Sequence, residues 1–93
     1  MMNETTREIL IILQEECAEV IVEISKCFRL GPDQMMEGVD VTNIQRLQKE
    51  LGDLQAMIEL LIKQKVGVTA NGLAEARKAK FEKLKVWSNI PIK

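Results

Sequence analysis

Leu13-Gln14-Glu15-Glu16-Cys17-Ala18-Glu19-Val20 and Leu47-Gln48-Lys49-Glu50-Leu51-Gly52-Asp53-Leu54 are the stretches whose reading decides this chain. Both mix carboxylates with apolar residues at helical spacing. Setting residues about 100° apart around an axis places Leu10, Leu13, Cys17, Val20, Ile21, Ile24 and Phe28 on one broad face. Glu8, Glu15, Glu16, Glu19 and Glu23 share the other. In the second stretch Ile44, Leu47, Leu51, Leu54, Ile58, Leu61 and Ile62 recur with the same period.

Extending each stretch to its stop signals predicts three helices. The first runs from about Glu4 to Phe28, with Thr5 or Asn3 as cap and Gly31-Pro32 as terminator. Leu30 to Val41, with its Gly, Pro and Asp residues, reads as a loop. The second helix runs from about Asn43 to Lys65, opened by a Thr42/Gln45 capping box and closed by Gly67. The third starts at Asn71 as its cap and continues to about Val86, with Leu73, Ala76, Phe81 and Leu84 pointing inward. The tail 88–93, with Pro91, reads as irregular. No stretch alternates long enough for a strand. The expectation is a single all-α domain over residues 1–93, a small bundle of three main helices completed by oligomerisation. A domain of 93 residues buries only a modest core, and Ile11 and Ile12 lie outside the main apolar face, where a partner chain could cover them.

Composition excludes several classes. With 46% apolar and 29% charged residues the chain is globular rather than disordered. Thirteen basic against fourteen acidic residues give a net charge of −1, which argues against general nucleic-acid binding. No apolar run reaches the length of a membrane span. The early run Ile9 to Leu13 is too short for a signal peptide. Cys17 and Cys27 sit about 15 Å apart on a straight helix, too far for a disulfide. They read as small buried thiols of a reducing, cytoplasmic protein.

The chemistry lies in the acids. Side chains three apart share a helix face, so Glu16 converges with Glu19, and Glu50 with Asp53. Two antiparallel helices bring the pairs together as oxygen ligands suited to Mg²⁺ or Mn²⁺. Glu50 falls inside the apolar arc of its helix, a costly place for a carboxylate that is neither paired nor bound to a cation. The competing expectation is a non-catalytic helical oligomerisation or interaction module whose acids form a solvated face. A di-iron carboxylate bundle normally needs Glu-x-x-His, and the chain has no His.

Glu-Glu-x-x-Glu, a loop and then Glu-x-x-Asp resembles the signature of MazG-like, all-α nucleoside triphosphate pyrophosphohydrolases. Ser25-Lys26 through Arg29-Leu30-Gly31, Asn43, Leu47 to Leu54 and the basic run Lys80 to Trp87 extend the likeness over roughly residues 8 to 88. The 30 residues between Glu19 and Glu50 are a long spacing for the family, and there is neither His nor Tyr to stack on a base. The resemblance implies Glu16, Glu19, Glu50 and Asp53 as Mg²⁺ ligands and Glu15 as the group that activates water. It implies hydrolysis of a nucleoside triphosphate at the α-phosphorus, in a dimer or tetramer. Lys80 and Lys83, then Lys26 and Arg29, are the candidates for the outer phosphates. Met35, Met36 and Met57 are candidates for a base pocket.

Overall fold

The computed structural model of the chain describes residues 2–92. Three helices follow one another: α1 (Glu4–Leu30), α2 (Asn43–Lys63) and α3 (Ala70–Trp87). The described residues form no strand beyond an isolated antiparallel bridge between Met35 and Thr42, so the fold is all-α as the sequence predicts.

Local chemistry sets the ends. Asn3 caps α1, its side chain accepting from the Thr6 amide at 2.7 Å. α1 runs two residues past the expected Phe28 because Gly31, at φ 96°, supplies the turn that returns its amide to the Cys27 carbonyl. The Thr42/Gln45 capping box forms in both directions. α2 stops at Lys63 rather than Lys65, since Lys65 itself takes a left-handed conformation at φ 57°. α3 is capped by Thr69 and not by Asn71: the Thr69 hydroxyl accepts from the Gly72 amide at 2.9 Å.

α1 and α2 pack as an antiparallel pair. Thr6 donates to the side-chain oxygen of Gln64 at one end, and the Asn43 side chain donates to the Gly31 carbonyl at the other. The α1 residues that meet α2 are Thr6, Ile9, Leu13, Glu16, Val20 and Glu23, spaced alternately three and four apart, as in a coiled-coil seam. This corrects the expected division of α1. Glu16 and Glu23 lie in the seam, while Ile21 and Phe28, expected inside, are 67% and 87% exposed. Cys17 is likewise exposed and Cys27 half-buried, both as free thiols.

The exposed apolar residues are not scattered. At about 100° per residue, Leu10, Cys17, Ile21, Ile24 and Phe28 lie a quarter turn from the α1 seam. Ile44, Leu51, Ile58 and Ile62 lie a quarter turn from the α2 seam in the same rotational sense. Because the helices are antiparallel, both sets project from one side of the pair. The polar residues Glu19, Lys26, Arg46, Lys49 and Asp53 project from the other.

α3 barely touches the α1–α2 pair and buries no residue. Leu73 and Phe81, expected to point inward, are exposed, and Leu84 is only half-buried. The radius of gyration is 16.3 Å, against about 12 Å for a compact domain of this length. The accessible surface is 7649 Å², against about 5,500 Å² for a folded monomer of this mass.

Candidate metal centre

The seam that half-buries Glu16 opposite α2 also brings it to Glu50 and Asp53. Glu16, Glu50 and Asp53 each present a carboxylate oxygen within 4.8 Å of the others. Glu50 and Asp53 are adjacent turns of α2, as their i, i+3 spacing requires. Two oxygens on one Mg²⁺ lie at most about 4.2 Å apart, twice the 2.1 Å bond length. The triad is loosely gathered on that scale, and its side chains would draw together around such an ion. The donor set is all oxygen, and the Oε2 atom of Glu16 is buried without a hydrogen-bond partner. The three residues fit a hard divalent cation.

One cation of the chain already leans on this cluster. Lys49 Nζ lies 2.9 Å from Asp53 Oδ2 and 3.5 Å from Glu50 Oε1. The hydrogen bond and charge of Asp53, with the charge of Glu50, hold the Lys49 ammonium above its ordinary pKa. Its side chain is nonetheless 69% exposed, whereas that of Glu50 is 15% exposed. Sequence reasoning passed over Lys49, although its i, i+4 spacing to Asp53 was the available signal.

Burial raises the Glu16 carboxyl above the ordinary carboxylate range. The charges of Asp53 and Glu50 add to the rise, and Lys49 opposes it. A carboxylate whose folded pKa is raised weakens the fold once ionised. That penalty is absent below the unfolded pKa, about 4.3, and complete above the folded value. In metal-free buffer, Glu16→Gln is therefore expected to melt above wild type at neutral pH. The gap should close on acidification toward about pH 4. Thermal unfolding of both proteins across that range checks it; a gap that widens in acid would contradict the assignment.

The remaining expected residues fall in different places. Glu19 is exposed and outside the triad, but it lines a neighbouring cleft. Glu15 is exposed on α1. Lys26 pairs with Glu23 at 3.2 Å, and Arg29 donates from Nε to the Ser25 hydroxyl at 3.3 Å. Lys80 and Lys83 are exposed on α3, and a single chain does not pack that helix against the triad. Met35 and Met36 border a separate small cavity of about 170 Å³, and Met57 is half-buried in the seam.

The cleft beside the triad has a volume of about 440 Å³ and is lined by Glu19, Glu23, Val41, Gln45, Arg46, Lys49 and Glu50. Besides Lys49, two of its charged residues were not foreseen as functional. Glu23 is 6% exposed, and its Oε2 has no partner. Arg46 is half-buried, and its Nε has none either. A larger cavity of about 530 Å³ lies against α3, bordered by Arg77, Phe81 and Pro91, with the Arg77 guanidinium 4.7 Å above the Phe81 ring. It contains no carboxylate cluster. No helix among the described residues is long and apolar enough to cross a membrane. Set against protein-family models, curated proteins and solved structures, the chain matches none.

Proposed function

We propose that the chain is a metal-dependent hydrolase that converts a nucleoside triphosphate to its monophosphate and pyrophosphate. The observation that carries the reading is the convergence of Glu16, Glu50 and Asp53 from the two helices at the edge of the α1–α2 seam. The resemblance to MazG-like pyrophosphohydrolases supplies the reaction. Glu16, Glu50 and Asp53 would hold Mg²⁺ or Mn²⁺, with Glu19 closing on the same ion from the cleft side. When bound, such an ion supplies positive charge against the phosphoryl oxygens and a more acidic water. Glu15 would take the proton of the attacking water. The water oxygen bonds to the α-phosphorus, the bond from that phosphorus to its bridging oxygen breaks, and pyrophosphate leaves. Lys80 and Lys83 would meet the outer phosphates from a partner chain's α3.

A second copy is part of this reading. The surplus of about 2,000 Å² of surface over a compact chain matches what an obligate homodimer buries per protomer. The apolar side of the α1–α2 pair is the face it would cover. Ile11 and Ile12, expected to meet a partner, lie elsewhere on α1.

The test is incubation of the purified chain with common and non-canonical nucleoside triphosphates in Mg²⁺ or Mn²⁺, followed by anion chromatography. The monophosphate and pyrophosphate are expected in equal amounts, without accumulating diphosphate, and excess EDTA should abolish turnover. A nucleoside diphosphate as the main product, or undiminished turnover in EDTA, would refute the mechanism. The competing reading, a helical interaction module, gains support only if no metal stimulates hydrolysis of any triphosphate.

A further inference from the structure

We infer that the second copy packs antiparallel to the first, so that the acidic loop joining α1 and α2 of each chain docks on the basic α3 of its partner. The inference rests on the dimer of the reading above and adds its direction; it does not use the hydrolase chemistry.

The chain is charged oppositely at its two ends. Residues 31–42 carry three acids, Asp33, Glu37 and Asp40, and no base. α3 carries five basic residues against two acids. The loop sits at one end of the α1–α2 pair, and α3 leaves from the other, where Thr6 meets Gln64. The 21 residues of α2 lie between, about 30 Å at 1.5 Å per residue. That is several times the screening length of about 10 Å at 0.1 M salt, so the two ends do not neutralise each other within one chain. Among the described residues, none of the loop acids and none of Arg77, Lys78, Lys80 and Lys83 belongs to an ion pair.

A two-fold dimer that covers the apolar side of the pair has two possible directions. The apolar side itself is uncharged, with Gln14, Gln48 and Gln55 beside it at helical spacing, so it fits either one. The ends choose. In a parallel dimer the acidic loop meets its own copy and the basic helix meets its own, and like charges repel. In an antiparallel dimer each loop end meets an α3 end of opposite sign. Two-fold symmetry makes that contact twice. Such complementarity sets register and direction between partners.

The two surfaces are also matched in kind. The loop is tied to the start of α2: the Asn43 amide donates to the Gln34 carbonyl and the Ile44 amide to the Pro32 carbonyl, each at 2.9 Å. It holds Met35 and Met36 outward, 55% and 46% exposed. Methionine adapts to irregular apolar surfaces. The groove of about 530 Å³ between α3 and the tail offers one, with Phe81 and Pro91 inside and Arg77 and Lys78 along it. Lys80 and Lys83 lie a third of a turn or more from that groove, outside the loop contact. Val41 of the same loop lines the cleft beside the triad. Docking therefore sets the partner's α3 at the outer end of that cleft.

The experiment measures dimer dissociation of the full chain by sedimentation through a dilution series. One variant reverses the loop, Glu37→Lys with Asp40→Lys. The other reverses α3, Arg77→Glu with Lys78→Glu. All four residues are exposed. Each variant alone sets like charges against each other in both contacts, and should dissociate at least about tenfold more readily than wild type. An equimolar mixture should return to wild-type strength, because every contact in the mixed dimer is again between opposite charges. A change that only damaged the fold of its own chain would not be rescued by mixing. Variants as tight as wild type overturn the proposal, and they are what a parallel dimer gives, since reversed charges would still face their own kind. A mixture no tighter than its components overturns it as well. A monomeric wild type removes the dimer and this inference together, while the pyrophosphate assay judges the hydrolase reading separately.

Discussion

Glu50→Gln is expected to cost at least about 100-fold in turnover while leaving the metal-free fold as stable as wild type or more so. The floor on the loss follows from outer-shell partners of metal ligands, whose removal alone costs about 10- to 100-fold; a direct ligand does more. The stability argument follows from geometry. Stranding a buried cation would cost about 3–5 kcal/mol. The cation beside Glu50 is Lys49, mostly exposed and also held by Asp53. Breaking an exposed pair costs at most about 1 kcal/mol. Removing one charge from a triad of acids offsets that by relieving repulsion. In EDTA the variant should therefore melt no more than about 4–8 °C below wild type, and more plainly above it if repulsion dominates. Wild type should gain from Mg²⁺, since an ion that binds only the folded state adds about 2.7 kcal/mol at a hundred times its dissociation constant. The variant should lose most of that increment. Calorimetry of both proteins with and without Mg²⁺, beside a pyrophosphate assay, decides the matter. A variant that melts far lower in EDTA yet keeps the increment would make Glu50 structural.

Ile21→Asp is expected to convert the protein from an oligomer to a monomer and to lower its melting temperature sharply. In the isolated chain Ile21 is largely exposed, so the change itself alters the hairpin by no more than about 0.5 kcal/mol. In a two-fold dimer the same change appears on both sides of one interface, placing carboxylates into the apolar side formed with Ile24, Phe28, Ile44 and Leu51. Each desolvated charge costs several kcal/mol, on the order of the whole association energy. Sedimentation of wild type and variant at equal concentration reads this directly. A wild-type chain that sediments as a monomer would refute the oligomer, and an Ile21→Asp protein that stays assembled would place the partner on another face.

The division of α1 shows how much of this was legible in the sequence. Helical period located the three helices, their caps to within a few residues, and the carboxylates of Glu16, Glu50 and Asp53. It placed Leu13 and Val20 inside correctly but centred the inner face too far round the helix, because α1 carries two apolar surfaces. Periodicity weights the wider arc through Leu10, Ile21 and Phe28, but the seam is the narrower one through Ile9, Leu13 and Val20. That seam is diluted by two acids, Glu16 and Glu23. Glu23 was indistinguishable from a solvated acid, since nothing local marks a glutamate that a distant helix will bury. Arg46 was missed for the same reason: its position becomes informative only once the antiparallel register is known, whereas Lys49 was marked by its i, i+4 spacing to Asp53. α3 was the least legible. Its caps and period specify a helix, but within the described residues it packs against almost nothing.

On the proposed reading, the ammonium of Lys49, resting on Asp53 and Glu50, would turn the acid triad into a valence filter. A sodium or potassium ion entering the site exchanges one positive charge for another and gains nothing over the tethered amine, which is already in place. A divalent ion brings one charge more than it displaces, and the gain is largest in the most crowded part of the cluster. Discrimination by valence then needs no cage sized to one ion. It needs only a resident monovalent competitor on a flexible stem.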